Sequence, residues 1–213
     1  MNIAGRIDHT LLKPEATEKD IVDLCHEAVK HGFASVCVNP VYICTAARLL
    51  HGTSVIPCTV IGFPLGAAFI EIKMQEILAA KAHGAREVDA VMCIGKAKSG
   101  DWKAVQRDVN LMVQTAQGCG LKIKIIIETG LLNEDEKQKA AEIVREAGAD
   151  YIKTSTGYFG GATVEDVKSL KNWAGPGVKV KASGGIKTKE FALELIKAGA
   201  DRLGTSSGIV IIQ

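Results

Sequence analysis

The chain has 213 residues, and 26 Lys and Arg against 24 Asp and Glu leave a formal charge of +2. That length suits one sizeable domain, and 47% hydrophobic residues can fill its core, which argues against disorder. The near-balance of charge gives no support to nucleic-acid or membrane-surface binding, and no apolar run approaches the ~20 residues of a membrane span.

The opening Met-Asn-Ile-Ala-Gly-Arg has no apolar stretch behind a basic one, so no signal peptide is expected. Arg6–Thr10 reads as a short extended piece. Thr17 is a helix N-cap with Asp20 three residues on; Ile21, Leu24, Cys25, Ala28 and Val29 recur at helical spacing, and Gly32 ends the helix. Phe33–Val38 is an apolar run of strand length, and Asn39-Pro40 opens a short helix to about Leu50. Val55–Ile61 is the next strand, ending in Gly62-Phe63-Pro64-Leu65-Gly66, and a helix from about Glu71 to His83 closes at Gly84. Glu87–Met92 is a strand, and Asp101 caps a long helix to about Gln117. After the strand Lys122–Glu128, Asn133 caps a helix with Glu136 in the capping-box position and Gly148 at its end.

Asp150–Gly157 then reads as a short strand running into a polar, glycine-closed loop, with Tyr151 and Lys153 on one face. Thr163 starts a helix through Trp173, Val178–Ala182 is a strand, Thr188 caps another helix, and Arg202–Gly204 is a last short strand. Eight strands alternating with helices imply a parallel sheet, and their number fits a (β/α)8 barrel over residues 1–213 as one domain. A doubly wound open sheet is the alternative, although no Gly-x-Gly-x-x-Gly follows the first strand. The six cysteines form no C-x-x-C pair and mostly sit in apolar segments, so they are read as reduced, buried thiols of a cytoplasmic protein rather than a zinc site.

Barrel strands should be apolar towards the helices, which fixes the residues pointing inward. By that alternation Glu87, Asp89, Lys122, Lys124, Glu128, Lys153, Lys179 and Lys181 point in, and Asp8 and Thr10 belong to the same set. Asp89, Lys153, Lys181 and Asp8 lie nearest the C-terminal strand ends, where barrel active sites lie. Lys122, Lys124 and Lys179 lie nearer the strand starts, and are expected to reach solvent or pair with Glu128 or Glu87 as structural ions. Two lysines beside one aspartate suit amine chemistry. Two like charges about 5 Å apart repel by roughly 3 kcal/mol at an effective dielectric near 20, enough to favour loss of one proton. A structural salt-bridge cluster is the competing account, though costly beside apolar packing. Three glycine-bearing loops follow the last three strands, Thr156-Gly157, Ser183-Gly184-Gly185 and Gly204-Thr205-Ser206-Ser207-Gly208, and small residues there let backbone N–H groups approach a phosphate. Lys187 adds charge to that side or is simply solvated.

Ile7-Asp8-His9-Thr10-Leu11-Leu12, Val36-Cys37-Val38-Asn39-Pro40, Gly62-Phe63-Pro64-Leu65-Gly66, Glu87-Val88-Asp89, Lys153-Thr154-Ser155-Thr156-Gly157, Lys181-Ala182-Ser183-Gly184-Gly185-Ile186 and Gly204-Thr205-Ser206-Ser207 resemble the deoxyribose-phosphate aldolase family over nearly the whole chain. The resemblance implies a metal-independent class I aldolase, often dimeric, with no cofactor beyond an imine on its own lysine. It implies reversible cleavage of 2-deoxy-D-ribose 5-phosphate to D-glyceraldehyde 3-phosphate and acetaldehyde. It makes Lys153 the Schiff-base nucleophile, Lys181 the lysine that perturbs it, and Asp89 the proton-relay acid/base. It places Asp8 and Thr10 at substrate or water, and Thr156, Gly157, Gly184, Gly185, Gly204, Ser206 and Ser207 around the sugar phosphate. Cys37 matches a cysteine near the family's pocket. Ala68-Phe69-Ile70 stands where the family usually has polar residues, so a narrowed acceptor pocket is expected, and Cys93 stands where many members have asparagine. No tyrosine-bearing tail follows Gln213, so tail-assisted proton transfer is not expected.

Overall fold

The computed structural model describes residues 3–213. Its strands are β1 (Ile7–Leu11), β2 (Ser35–Val38), β3 (Ile56–Ile61), β4 (Glu87–Val91), β5 (Lys122–Ile126), β6 (Tyr151–Lys153), β7 (Lys179–Ser183) and β8 (Arg202–Thr205). They close in sequence order into a barrel in which every neighbouring pair is parallel, including β8 with β1. The helices around it are α1 (Glu18–His31), α2 (Ile43–Leu49), α3 (Ile70–Ala82), α4 (Ile94–Lys98), α5 (Trp102–Gly118), α6 (Glu134–Glu146), α7 (Val164–Ala174), α8 (Lys189–Ala198) and α9 (Gly208–Ile212). This is the (β/α)8 architecture; the open sheet is excluded by the β1–β8 pairing.

Local chemistry sets the element boundaries. Thr17 accepts from the Asp20 backbone N–H while Asp20 answers the Thr17 N–H, and Asn133 and Glu136 form the same reciprocal cap on α6. Asp101, Thr163 and Thr188 cap α5, α7 and α8 through their side-chain oxygens. Gly32, at φ 67°, ends α1 in a left-handed turn that a Cβ would disfavour. The helix expected from Asn39-Pro40 begins as a 3-10 turn at Pro40–Tyr42 and continues as α2. The short helices α4 and α9, and the 3-10 turn at Thr129–Leu131, were not legible: three to five residues cannot show a helical period, and none of them has a side-chain cap.

Alternation along the strands works as anticipated. Val88, Ala90, Ile123, Ile125, Ile152, Val180, Ala182 and Leu203 are fully buried and form the core between barrel and helices. One polar group joins that layer. Lys73 of α3 is completely buried and donates to both Asp108 oxygens of α5, at 3.0 and 2.9 Å, and to the Val91 carbonyl at 3.0 Å. It ties two helices to the end of the strand that carries Asp89. Removing one partner of such a pair strands a buried charge, at a cost of about 3–5 kcal/mol.

Candidate active site

The register brings the inward charges of six strands together. Asp89↔Lys124, Ile126↔Lys153 and Lys153↔Lys181 are Cα partners on successive strands, and Asp8 is paired with Gly204 across the seam. Asp89 is the hub. Its Oδ2 accepts from Lys153 Nζ and from Lys181 Nζ, each at 2.7 Å, and its Oδ1 accepts from Lys124 Nζ at 2.9 Å. Lys181 Nζ also meets Asp8 Oδ2 at 2.5 Å, and Arg202 Nε donates to Asp8 Oδ1 at 2.7 Å. Glu87 Oε2 closes the network, 2.7 Å from Lys124 Nζ and 3.0 Å from Arg202 Nη2. Four cations (Lys124, Lys153, Lys181, Arg202) thus share three carboxylates (Asp8, Glu87, Asp89), leaving one positive charge in excess. Loss of a single ammonium proton would make the cluster neutral.

Burial alone would push the Asp89 carboxyl up, but the ammonium groups of Lys124, Lys153 and Lys181 overcome it and hold Asp89 well below its ordinary range. Asp8 is lowered in the same way by Lys181, Lys124 and Arg202. Burial would pull the Lys181 ammonium down, but Asp8 and Asp89 hold it above its ordinary value, so Lys181 stays charged. The two neighbouring lysines are therefore joined by two carboxylates, Asp8 and Asp89, that hold the charge on Lys181. A lowered carboxyl stabilises the fold above the unfolded value, 3.8 for Asp8, and loses that contribution as pH falls through the folded value. The gap in unfolding free energy between this chain and Asp8→Asn should stay constant from pH 8 to about 5 and shrink only in more acid solution, as urea melts across pH would show.

Above the network lies a cleft of about 460 Å3 at the C-terminal ends of the strands. Its floor holds Lys153, only 2% exposed, and its walls include Thr10, Thr156, Gly157, Gly184, Gly185, Gly204 and Ser206. Asp8, Asp89, Lys181 and Cys37 lie beneath that floor, fully buried or nearly so, and Ser207 stands just outside, its N–H donating to Thr205 Oγ1 at 2.9 Å. Cys37 faces Cys58 across β2 and β3, where they are register partners. The glycines have reasons beyond anion binding. A Cβ on Gly184 would stand 2.9 Å from the Gly160 carbonyl oxygen, and one on Gly204 would stand 2.9 Å from Lys181 Cε. Gly204 therefore gives the second lysine its path to Asp89.

Several residues went unrecognised or misplaced in the sequence. Lys124 is in the central network and not at the solvent-facing bottom, although its expected partner Glu87 is correct; Lys122 and Lys179 are exposed. Arg202 alternates with Leu203 and points inward, a signal that the three-residue strand reading was too short to use. Tyr158 and Lys13 join the cleft wall beside Leu12 and Lys187; Tyr158 donates to the Leu12 carbonyl at 3.2 Å and meets the Phe63 ring edge-on at 5.6 Å. Phe69 does not narrow the cleft: it precedes α3, 81% exposed and absent from the lining. Phe69→Thr should leave KM and kcat within about twofold in steady-state assays; a tenfold shift would put the ring at the substrate after all. Cys37 Sγ, Cys58 Sγ and an Asp89 oxygen lie within 4.8 Å of one another, a possible metal-ligand group by distance. Three ammonium groups already donate to Asp89, so a cation there would meet strong repulsion.

A family model described as DeoC/LacD family aldolase matches residues 3–213. A deoxyribose-phosphate aldolase of Desulfitobacterium hafniense is 70% identical over 213 residues, covering 100% of this chain and 98% of its own. One from Geobacillus sp. is 53% identical over 213 residues, covering 100% and 95%. A solved structure described as a unique tetrameric deoxyribose phosphate aldolase from Aeropyrum pernix superposes with a TM-score of 0.91 at 39% identity, covering 99% of this chain and 89% of that one.

Proposed function

This chain belongs to the DeoC/LacD aldolase family, and from that premise we propose that it is a lyase cleaving 2-deoxy-D-ribose 5-phosphate reversibly to D-glyceraldehyde 3-phosphate and acetaldehyde through an imine on Lys153. The observation that carries the reading is Lys153 on the cleft floor, its Nζ 2.7 Å from an Asp89 oxygen that also accepts from Lys181.

In this mechanism the Lys153 nitrogen adds to the aldehyde carbon of the open-chain sugar, and loss of water gives a protonated imine. The C2–C3 bond then breaks, its electron pair flowing towards the imine nitrogen, and leaves an enamine of acetaldehyde. Protonation of the enamine and hydrolysis release acetaldehyde and restore the amine. The electron sink is the protein's own nitrogen, so the reading calls for no metal or other cofactor. Asp89 and the charged Lys181 pass protons together with a water. Asp8 acts from below by holding Lys181, while Thr10 and Thr156 face the sugar. Gly157, Gly184, Gly185, Gly204, Ser206 and Ser207 line or flank the phosphate end, with Lys187 adding charge, and Cys37 lies beneath the reacting carbons.

Residues 1–213 act as one catalytic domain in this reading. It works in the cytoplasm, which suits six free cysteines. No described helix is long and apolar enough to cross a membrane. We also read it as a homo-oligomer, in line with the tetrameric relative. Acetaldehyde release from 2-deoxyribose 5-phosphate should exceed that from unphosphorylated 2-deoxyribose by about 100-fold or more in kcat/KM, the phosphate supplying binding energy to the reacting end. Equal rates would overturn the phosphate assignment, and release from neither would overturn the activity.

A further inference from the structure

Glu128 is a buried carboxylate that the mechanism above leaves without a task. It follows β5 and is the only non-glycine residue at positive φ among the described residues, at 59°. Such a backbone is strained and persists only where the surroundings hold it. The holding is visible. The Ile127 N–H donates to the Lys153 carbonyl at 3.1 Å and the Thr129 N–H to the Thr154 carbonyl at 2.9 Å, so the residue is pinned on both sides to the lysine strand. The result aims a fully buried carboxylate at Thr156: Oε2 accepts from Thr156 Oγ1 at 2.5 Å and from the Thr156 N–H at 3.1 Å. Thr156 lines the cleft beside Lys153.

A threonine hydroxyl has one proton and two lone pairs. The Thr156 proton is given to Glu128, and one lone pair takes the Tyr158 N–H at 3.1 Å. The other is free for a donor in the cleft. The sugar offers such a donor. C2–C3 cleavage requires the C3 hydroxyl to lose its proton, and C3 lies two carbons from the atom bonded to Lys153.

Resting on the imine reading above, we propose that Thr156 and Glu128 accept the C3 hydroxyl proton during carbon–carbon cleavage. The C3–OH proton passes to Thr156 Oγ1 as the Thr156 proton passes to Glu128 Oε2. The O–H electron pair forms the new C3=O bond, the C2–C3 pair becomes the C1–C2 double bond, and the C=N pair moves onto nitrogen. Glu128 ends the step as a neutral acid, and the reverse transfer serves condensation. Burial pushes the Glu128 carboxyl up, against the pull of Thr156 and Lys153, which strengthens it as a proton acceptor. Glu128 touches no substrate and acts through Thr156, as a positioning and relay residue.

Two readouts on the full chain separate this role from support of the loop. Cleavage of deoxyribose 5-phosphate needs the C3 proton removed. Deuterium uptake from D2O into the methyl group of acetaldehyde needs only the Lys153 imine and its enamine. Glu128→Gln and Thr156→Val should slow cleavage by about 100-fold and leave exchange within about twofold, while Thr156→Ser keeps cleavage within a few-fold. If Glu128→Gln does not fold, the two threonine variants decide. Cleavage within about threefold of the parent in Glu128→Gln or Thr156→Val would overturn the relay, as would cleavage and exchange falling together. A parent enzyme that cleaves the sugar phosphate but shows no exchange would overturn the imine reading, and the relay with it.

Discussion

Lys153→Leu should abolish cleavage, with a loss on the order of 10⁴-fold or more, while the barrel stays folded. The chemical part follows from the nucleophile: without its nitrogen there is no covalent intermediate and no electron sink. The structural part follows from the charge count. The network holds four cations against three carboxylates, and removing Lys153 brings it to three against three. Asp89 keeps Lys124 and Lys181 as donors, so no carboxylate is left unpaired. Leucine has a volume close to that of the lysine stem, so the buried site is refilled. Circular dichroism and a melting curve close to those of the parent, with no acetaldehyde released, are the expected pair of results. Retained turnover would remove Lys153 from the mechanism.

Asp89→Asn should be damaging in both respects. It leaves four cations sharing two carboxylates, and replaces the charged acceptor of three ammonium groups by an amide with one accepting oxygen and an NH2 that only donates. Breaking a buried ion pair costs about 3–5 kcal/mol, so a clear loss of stability in urea is expected. Activity should fall by about 10³-fold, because the proton-moving carboxylate is gone and Lys153 loses its partner. A second substitution separates the two losses. Lys124→Met in the Asp89→Asn background removes one surplus cation and should restore about 1–2 kcal/mol of stability, yet no activity. Activity returning along with stability would show that Asp89 matters only for the fold.

The barrel was legible because its signals are repetitive. Capping residues such as Thr17, Asn133 and Thr188, glycines at helix ends, and strands with one apolar side all point the same way. The same alternation identified Asp89, Lys153 and Lys181 as inward-facing before any geometry was known. What it could not provide was depth along the barrel axis. Strands are staggered as the barrel closes, so position within a strand is a poor guide to height. Lys124 is the third residue of β5, yet β4 offers it both Glu87 and Asp89. Asp8 and Cys37 were drawn towards the substrate by resemblance, and the structure places both below the cleft floor. Glu128 was read as inward-facing and as an ion partner for Lys122, Lys124 or Lys179, but its left-handed backbone, imposed by the hydrogen bonds of its neighbours, turns it to Thr156 instead. Phe69 misled because an apolar residue after a barrel strand looks like pocket lining, while here the loop carries it to the outside.

The central claim is that a covalent imine forms on Lys153. Incubation with 2-deoxyribose 5-phosphate and sodium borohydride, followed by peptide mass mapping, tests it directly. The account predicts a reduced adduct on the peptide carrying Lys153, at the expense of activity, and none in Lys153→Leu. An adduct confined to the Lys181 peptide, or turnover that borohydride does not inhibit, would contradict it.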